Sequence, residues 1–571
     1  MVNFLNCKRK GVFVSIWLRH YGNVPKSLNY PQISLYESIR QSCLKYEDQI
    51  AFTYFGNTIT YAKLLYYIDK FAVYLKEIGI DQKSTVSLIL PTCPQAVIAF
   101  YAINKIGAIA SFIHPLSSEE EIANYLNISN SEFAITLDLF VNKVLSVKDK
   151  TPLKNIMQTS ISTFMPFFLK TAYNVFKRPK KIVDLTFESA IKHSNILIDI
   201  KPQQKAFDTA VILYSGGTTG KPKGIELSNF NLIANGTQIS AWANLNQEDK
   251  ILAILPIFHG FGLSVCINAV LMGGAQAILV PNFDLEKVIK LIKKEKPTFL
   301  VGVPTLYKAL LDSKDFQKMN LSFLKGAFSG ADTLPEHIKK DFDSLVQKSG
   351  SNAKLREGYG LTEAVTAIAA MPLDKYKPNS IGIPFPDMKL KIVDPVLLNE
   401  LKPNELGEIC INGPCVMKGY LNNPQETEKV LKMHNDGQIW LHTGDLGYMD
   451  EEGFFYFKQR LKRMIKVSGM NVYPTEIENV LSSHENVKFS CAIGVKDEYK
   501  MHKIKAFIEL KNTDVNKDQL KKELIDLCKK HLNVWSVPYD IEFMQLPRTK
   551  LGKIDYKLLE EKENARINEN N

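Results

Sequence analysis

The order of strand-like and helical segments is the feature that most limits the fold of this chain. From about Ile33 to Asp284, short apolar runs alternate with segments whose apolar residues recur at helical spacing. STVSLIL (84–90) is typical of a buried strand, whereas PQAVIAFYAINKIGA (94–108) has apolar residues three and four positions apart, which favours a packed helix. This alternation predicts an α/β fold with parallel-rich sheets covered by helices. Ligands of such sheets bind in loops after the carboxyl ends of strands.

The pattern changes near Ile381. Segments such as GEICINGP and IWLHTGDLGYM are short apolar stretches with turn residues between them, which indicates a β-rich subdomain over about 381–459. Beyond residue 459, strand-like runs and the helix DQLKKELIDLCKKHL predict a compact α+β unit. We therefore expect a large N-terminal domain over residues 1–459 and a small C-terminal domain over residues 460–571.

Composition indicates a globular protein with a large core, because 45% of the 571 residues are hydrophobic. Lysine and arginine total 71 against 60 acidic residues, a net charge of +11. This mild excess suits an anionic substrate or membrane surface, or serves solubility alone, and we expect no nucleic-acid partner. The eight cysteines include no CxxC pair, and no Cys/His group has zinc-motif spacing. They are expected to be reduced core residues of a cytoplasmic protein.

The segment 155–181 combines aromatic and basic residues, among them Phe167, Phe168, Phe176, Lys177 and Lys181. Such a run is typical of segments that lie on an anionic membrane surface. The alternative is a helix packed on the rest of the protein with its lysines in solvent. Since no stretch approaches 18 uncharged apolar residues, we expect any membrane contact to be peripheral.

A glycine-rich segment, YSGGTTGKPKG (214–224), follows the apolar run VIL (211–213). A glycine-rich turn after a strand exposes backbone N–H groups that can hold anionic oxygens. The segment fails the P-loop pattern, because Gly220-Lys221 is preceded five positions back by Ser215 and followed by Pro222. By itself it is either an anion-binding loop or a plain linker.

Five further motifs are PIFHGFG (256–262), GYGLTE (358–363), HTGD (442–445), RLKRMIKVSGMNVYPTEIE (460–478) and PRTKLGKID (547–555). With these motifs in this order, the sequence from about Leu35 to Tyr556 resembles the adenylate-forming enzymes. The resemblance implies a large N-terminal domain and a small hinged C-terminal domain. It also implies that a carboxylate attacks the α-phosphate of ATP with Mg²⁺ present, and that a thiol such as CoA then displaces AMP from the acyl-adenylate.

The resemblance assigns a role to each motif on the nucleotide side. Tyr359 is expected against adenine, and Asp445 is expected to accept the ribose hydroxyls, as a carboxylate can. Thr362 is expected at the α-phosphate and Glu363 at Mg²⁺, which prefers carboxylate and phosphate oxygens. The full set expected to bind ATP is Ser215, Gly216, Gly217, Thr218, Thr219, Gly220, Lys221, Gly358, Tyr359, Gly360, Asp445 and Arg460.

The resemblance also assigns roles to residues of the C-terminal domain. Lys553, in LGKID, matches the lysine that bridges the carboxylate and the α-phosphate, and a mobile domain can deliver such a charge on closing. Lys462 is expected to be the hinge. This chain has Gln459 where family members usually have glycine before the arginine. The residues expected on the CoA side are Lys466, Ser468 and Gly469.

The acid pocket is expected to begin at PIFHGFG. Members that take amino acids carry an aspartate near this point, whereas FHGFGLSV has no acidic residue. A buried ammonium without a partner is unfavourable, so an acyl or aryl acid is expected. Residues 17–39 and 155–181 resemble long-chain fatty acyl-CoA synthetases, which favours a long-chain fatty acid. The expected pocket residues are His259, Val303, Gly330 and Ala331, and His259, Thr362, Glu363 and Lys553 are expected to act in catalysis.

Three alternatives stay open at this point. An acyl-AMP ligase or acyl-carrier-protein synthetase would pass the acyl group to a protein thiol. An aryl-CoA ligase of the coumarate type would take an aromatic acid, and a binding protein could keep the fold without catalysis. Intact Glu363, Asp445, Arg460 and Lys553 argue against loss of catalysis. We therefore predict an ATP-dependent, AMP-forming acyl-CoA synthetase.

Overall fold

The computed structural model describes residues 15–177, 181–193, 200–215, 222–497, 501–512, 514–549 and 554–570. The strands, numbered in chain order, are β1 (Ile50–Tyr54), β2 (Asn57–Thr60), β3 (Thr85–Ile89), β4 (Ile109–Phe112), β5 (Phe133–Leu137), β6 (Asn155–Thr159), β7 (Leu185–Thr186), β8 (Thr209–Ser215), β9 (Lys223–Ser228), β10 (Lys250–Ala253), β11 (Gln276–Leu279), β12 (Phe299–Gly302), β13 (Gly326–Ser329), β14 (Leu355–Gly360), β15 (Ala367–Ala370), β16 (Ile383–Pro384), β17 (Lys389–Val393), β18 (Gly407–Asn412), β19 (Gly419–Tyr420), β20 (Leu431–Met433), β21 (Ile439–Met449), β22 (Phe455–Arg460), β23 (Ile465–Val467), β24 (Met470–Val472), β25 (Val487–Asp497), β26 (Met501–Leu510) and β27 (Asp540–Phe543).

The helices are α1 (Leu35–Lys45), α2 (Tyr61–Glu77), α3 (Pro94–Lys105), α4 (Glu119–Ser129), α5 (Val141–Leu145), α6 (Phe167–Lys177), α7 (Phe187–His193), α8 (Asn229–Trp242), α9 (Ala269–Gly273), α10 (Leu285–Glu295), α11 (Pro304–Asp312), α12 (Lys314–Gln317), α13 (Glu336–Lys348), α14 (Pro424–Val430), α15 (Pro474–Ser482), α16 (Lys517–His531) and α17 (Tyr556–Asn570). Several begin at side-chain caps that the sequence provides. Ser118 and Glu121 form a capping box at the start of α4, and the Asp284 side chain accepts the Lys287 N–H at the start of α10.

Two large sheets form the N-terminal part of the molecule. One has nine strands in the order β16-β15-β14-β13-β12-β10-β11-β1-β2, and the other has eight in the order β19-β9-β8-β4-β3-β5-β6-β7. The inner strands of both pair in parallel, and antiparallel pairs occur towards the edges. The main hydrophobic core contains residues of both sheets and of α2, α3 and α8. Helix α3 is buried over its whole length, as expected for a helix without a polar face. The predicted α/β class is confirmed.

The β-rich region is an antiparallel sheet in the order β17-β18-β21-β20, with β22 paired to β21. After Arg460, the chain forms the β23–β24 hairpin and a three-stranded sheet in the order β25-β26-β27. Helices α15 and α16 share a separate hydrophobic cluster with these strands, in which Ile477, Leu524 and Ile508 are buried. A smaller α+β unit thus follows the large α/β part.

Helix α6 has apolar side chains turned to solvent. Every residue of α6 is at least partly exposed, and Phe168 and Phe176 are each 84% exposed. On another side the helix makes a polar contact with the preceding segment, since the Ser162 hydroxyl donates a hydrogen bond to Asn174 Oδ1 (2.9 Å). The exposed apolar side chains are Phe167, Phe168, Leu169, Val175 and Phe176. In the described ranges, no helix combines the length and the apolar character needed to cross a bilayer.

Candidate active site

The expected acid-pocket and nucleotide loops follow neighbouring strands of the nine-stranded sheet. Strands β10, β12, β13 and β14 are parallel neighbours in that order. His259 lies in the loop after β10, while Val303 and Gly330 directly follow β12 and β13. GYGLTE (358–363) is the end of β14 and the turn after it. Because carboxyl ends of parallel strands meet at one edge of a sheet, these residues line the same edge.

Close backbone contacts hold PIFHGFG and GYGLTE in place. A Cβ atom on Gly260 would lie 1.9 Å from the carbonyl oxygen of Val365, and one on Gly360 would lie 1.6 Å from that of Thr366. No real side chain tolerates such distances, so the two motifs need glycine at these positions. Val365 itself has a positive φ of 67°, a conformation that β-branched residues rarely adopt. This strain lies directly after the candidate catalytic residues.

Phe261 connects two of the expected pocket residues. Its backbone N–H donates a hydrogen bond to Nδ1 of His259 (3.2 Å), so the neutral imidazole carries its proton on Nε2. A Cβ atom on Gly330 would lie 3.1 Å from the Phe261 ring, so this ring packs directly against the glycine. Val303 is partly buried, whereas Ala331 is exposed and has a φ of 68°. His259, Phe261 and Gly330 therefore form one contiguous wall.

The strands on either side of the glycine-rich loop are paired. Ser215, at the end of β8, lies opposite Lys223 at the start of β9. The predicted ATP ligands Gly216, Gly217, Thr218, Thr219, Gly220 and Lys221 lie outside the described residues. Nζ of Lys223 forms an ion pair with Glu426 and lies 4.6 Å from the centroid of the Tyr420 ring. The base of the loop is thereby held against β19 and α14.

Tyr420 connects this loop base to Glu363. Strand β19, which ends at Tyr420, pairs with β9. The Tyr420 hydroxyl donates a hydrogen bond to Glu363 Oε1 (3.0 Å), and the Glu363 carbonyl oxygen accepts one from the Met417 N–H (2.8 Å). A carboxylate has about four acceptor positions, and Tyr420 uses one, so Glu363 retains the capacity to bind Mg²⁺.

A buried carboxylate in the middle of β21 contacts the ends of β14 and β22. Asp445 is 2% exposed, and its Oδ2 accepts a hydrogen bond from the Tyr359 hydroxyl (2.6 Å). Nε of Arg460 lies 2.8 Å from Oδ1 as an ion pair, but without hydrogen-bond alignment: Oδ1 accepts no hydrogen bond from the described residues. Burial raises the pKa of Asp445, and the Arg460 charge and the Tyr359 bond oppose the shift. This oxygen is thus available to a ligand hydroxyl.

The irregular part of β21 that carries Asp445 is held by side chains of β18 and of β21 itself. The Thr443 hydroxyl donates to the Ile409 carbonyl (2.7 Å) and accepts from the Asp445 N–H (3.0 Å). Glu408 accepts the Gly444 N–H (2.8 Å), and Gly444 has a φ of 70°, which favours glycine. HTGD is therefore a rigid support for the carboxylate.

The expected hinge and CoA-side residues follow β22. Lys462 lies in the 3-10 turn Leu461–Arg463, and Lys466 is an exposed residue of β23. Ser468 and Gly469, with φ of 51° and 81°, form the tight turn between β23 and β24. Gln459 is 1% exposed, and its amide atoms have no hydrogen-bond partner in the described part of the chain.

The predicted catalytic residue Lys553 lies outside the described residues. The segments on either side of it meet at an antiparallel bridge between Arg548 and Ile554, and the Asp555 N–H donates to the Pro547 carbonyl (2.8 Å). The two ends of the motif PRTKLGKID therefore lie next to each other in the C-terminal unit.

Sequence reasoning missed Tyr420, Phe261 and Glu408. Phe261 lies within PIFHGFG, where its large side chain close to the histidine was a signal in the sequence. Tyr420 and Glu408 belong to none of the six motifs, and their roles depend on strand pairings between residues far apart in sequence. No local signal marks them.

Comparison with known proteins gives the same family over almost the whole chain. The family model described as AMP-binding enzyme matches residues 39–421, and the one described as AMP-binding enzyme C-terminal domain matches residues 476–553. A long-chain-fatty-acid–CoA ligase of Bacillus subtilis (strain 168) is 36% identical over 566 residues, covering 96% of this chain and 99% of the relative. A 4-coumarate:CoA ligase 1 of Petunia hybrida is 32% identical over 508 residues, covering 87% of each chain.

Solved structures agree on the fold. The crystal structure of ATP-bound MatB from Rhodopseudomonas palustris superposes with a TM-score of 0.81 at 23% identity, covering 94% of this chain and 99% of that one. The likeness extends over the large α/β part and the smaller unit after it. The chain belongs to the AMP-binding enzyme family.

Proposed function

We infer that the protein is an ATP-dependent, AMP-forming acid–thiol ligase that converts a long-chain fatty acid to its CoA thioester. The observation that carries this inference is the near-full-length likeness to a bacterial long-chain-fatty-acid–CoA ligase. The contact of buried Tyr359 and Asp445 with the exposed Arg460, at the expected nucleotide site, supports it.

The reaction has two balanced halves. An oxygen of the acid attacks the α-phosphorus of ATP, the bond to the β-phosphate breaks, and pyrophosphate leaves. The sulfur of CoA then attacks the acyl-adenylate carbonyl, loses its proton to solvent, and displaces AMP. Two anions meet in the first half, so the site needs preorganised cations and N–H donors around the phosphates.

We propose that Asp445 accepts the ribose hydroxyls of ATP. Within the described residues, its buried oxygen Oδ1 is in an ion pair with Arg460 but accepts no hydrogen bond, so it keeps the capacity to accept one from a ligand. Tyr359 holds the other oxygen and would present its ring to adenine. Arg460 would offset the carboxylate charge and reach ribose or phosphate.

On the phosphate side, residues 215–221 would hold the β- and γ-phosphates and Thr362 the α-phosphate. Glu363 would hold Mg²⁺, which supplies charge neutralisation to the phosphate oxygens. Tyr420 orients this carboxylate, because its hydroxyl donates to Oε1. The pairing of Lys223 with Glu426 and the Tyr420 ring would keep the phosphate loop close to Glu363.

We propose that the C-terminal unit, residues 460–571, rotates about Lys462 between the two halves. Lys553 would bridge the carboxylate and the α-phosphate in the first half and withdraw in the second. Lys466, Ser468 and Gly469 share one exposed hairpin, which would face the thiol after rotation.

The acid would bind along the wall formed by His259, Phe261 and Gly330, with Val303 at the start of α11 beside it. In the absence of a nearby acidic residue in FHGFGLSV, an apolar acyl chain suits this wall better than an amino acid. His259 would orient the carboxylate through its Nε2 proton.

We further propose that α6 docks on an anionic membrane surface. A water-exposed face with Phe168, Val175 and Phe176 is unfavourable in solution and suits the boundary between headgroups and acyl chains. Lys170 and Lys177 on the same helix favour anionic lipids. Such docking would place the enzyme where long-chain acids are dissolved.

The function is tested by incubating the enzyme with ATP, Mg²⁺ and palmitate and adding either CoA or a 4′-phosphopantetheine carrier protein. Mass spectrometry should detect palmitoyl-CoA and equimolar AMP. Acylation of the carrier protein in place of CoA would contradict CoA as the acceptor thiol. Preferential use of coumarate over palmitate would contradict the choice of acid.

A further inference from the structure

The β-rich sheet contains a buried group of metal-ligating side chains apart from the nucleotide residues. Cys410, His434 and His442 are 0%, 8% and 6% exposed, and one potential ligand atom from each lies within 4.8 Å of the other two. Nε2 of His434 is 2.9 Å from Nε2 of His442. The group holds one thiol and two imidazoles, the ligands that Zn²⁺ prefers.

The backbone brings these residues together by strand pairing. Cys410 on β18 lies directly opposite His442 on β21, so their side chains share one face of the sheet. His434 begins the turn between β20 and β21, which is closed by hydrogen bonds between its backbone and Gln438 and Gly437. All three residues are therefore anchored by regular structure.

A carboxylate behind the group orients one imidazole. Oε2 of Glu408 lies 2.7 Å from Nδ1 of His442, and Oε1 accepts the Gly444 N–H. Nδ1 therefore carries the proton of the neutral imidazole, and Nε2 directs its lone pair towards His434. Metal-binding histidines are usually held by such a carboxylate.

Apolar and aromatic side chains surround the group. Val393 and Trp440 form a small buried cluster with Cys410, and the His434 and Trp440 ring centroids are 6.1 Å apart. The nearby Lys391 is paired with Asp436 (3.1 Å) and lies over the Trp440 ring. The charge of Lys391 is thus balanced by Asp436, and Lys432 is a second cation near Cys410 and His434.

We propose that Cys410, His434 and His442 bind one Zn²⁺ ion, with a water molecule as fourth ligand and Glu408 orienting His442. Two Zn–N bonds of about 2.05 Å at a tetrahedral angle place the nitrogens about 3.3 Å apart, so the 2.9 Å separation would widen slightly. The ion would tie β18 to β21 at His442, the first residue of HTGD, and so stabilise the part of β21 that carries Asp445. This site is separate from the proposed ligase chemistry.

The test uses the full-length enzyme, freed of metal by a chelator and dialysed with equimolar Zn²⁺ or Co²⁺. Zn²⁺ content should be about one per chain, and Co²⁺ should give thiolate-to-metal charge-transfer absorption. Cys410→Ala should lose the charge-transfer band, and His434→Gln should reduce bound Zn²⁺ at least tenfold. Cys528→Ala, which removes a buried thiol on α16, should match wild type.

Two results would overturn the site. One is wild-type enzyme that retains no Zn²⁺ after dialysis, which would leave Glu408, His442 and His434 as a plain hydrogen-bond chain. The other is a Co²⁺ charge-transfer band that persists in Cys410→Ala. His434→Gln keeps a polar side chain of similar size and should therefore fold. Far-UV circular dichroism of this variant shows whether a loss of Zn²⁺ is accompanied by a loss of fold.

Discussion

Asp445 and Arg460 stand opposite each other on β21 and β22, with Nε of Arg460 2.8 Å from Oδ1 of Asp445. Arg460 is also the last residue of the β-rich sheet, and the short turn Leu461–Arg463 separates it from β23. The expected ribose ligand is thus tied to the point where the chain enters the C-terminal unit. A rotation about Lys462 would leave this pair intact, so the nucleotide could stay bound through both half-reactions.

Replacing Asp445 by Asn should weaken ATP use selectively. The amide keeps the size but loses the charge that strengthens bonds to the ribose hydroxyls, worth about 1.5–3 kcal/mol. We expect kcat/KM for ATP to fall roughly 10- to 100-fold. Pyrophosphate release measured over a range of ATP concentrations gives this value. The matched control is Glu336→Gln, which breaks an exposed ion pair with Lys340, and unchanged kcat/KM in Asp445→Asn would refute the assignment.

Replacing Tyr420 by Phe should weaken the use of Mg²⁺. The variant loses the hydroxyl that donates to Glu363 Oε1 but keeps the ring beneath Lys223. We expect the Mg²⁺ concentration for half-maximal rate to rise about threefold or more, because Glu363 is no longer oriented. Tyr420→Ala also removes the ring and should in addition raise the KM for ATP. A wild-type Mg²⁺ dependence in Tyr420→Phe would show that the hydroxyl does not orient Glu363.

Glu357 should make stability fall as pH rises. Burial raises the pKa of this carboxyl from 4.5 to about 7, so between these values the folded protein holds a proton that the unfolded chain has released. The free energy of unfolding therefore decreases through this window, by an amount on the order of 1–3 kcal/mol, and levels off above it.

Glu357→Gln cannot ionise and should show a smaller loss of stability from pH 5 to pH 8 than wild type. Urea unfolding midpoints at both pH values measure the difference, with Glu336→Gln as an exposed control. An equal pH dependence in wild type and Glu357→Gln would contradict the assigned shift.

The double variant Phe168→Ala/Phe176→Ala should lose binding to vesicles that contain phosphatidylglycerol. Its activity on a short, water-soluble acid should stay unchanged, because α6 lies outside the candidate site. Co-sedimentation measures binding, and salt should weaken it in wild type. Val396→Ala/Leu397→Ala removes exposed apolar side chains elsewhere and should bind as wild type does. Equal binding by both double variants would exclude α6 as the docking surface.

The sequence indicated most of the fold because strand and helix periods are local properties. The six motifs likewise marked residues near one another in space, such as Tyr359 and Asp445, which share a hydrogen bond. Tyr420 had no such signal, since its position depends on the pairing of β19 with β9. The zinc candidates were missed for the same reason: Cys410 and His442 are far apart in sequence and meet across two antiparallel strands. The outward direction of the α6 aromatic side chains is also set by tertiary packing.

Palmitate should be adenylated with help from Lys553 before CoA enters. The most direct test measures pyrophosphate release from ATP and palmitate without CoA, in wild type and in Lys553→Ala. Wild type should give a palmitate-dependent burst of about one pyrophosphate per site. Lys553→Ala should lose this burst by about 100-fold or more, yet convert supplied palmitoyl-AMP and CoA to palmitoyl-CoA at a near-normal rate. A normal burst in Lys553→Ala would contradict the role of Lys553, and no palmitate-dependent burst in wild type would contradict adenylation of palmitate.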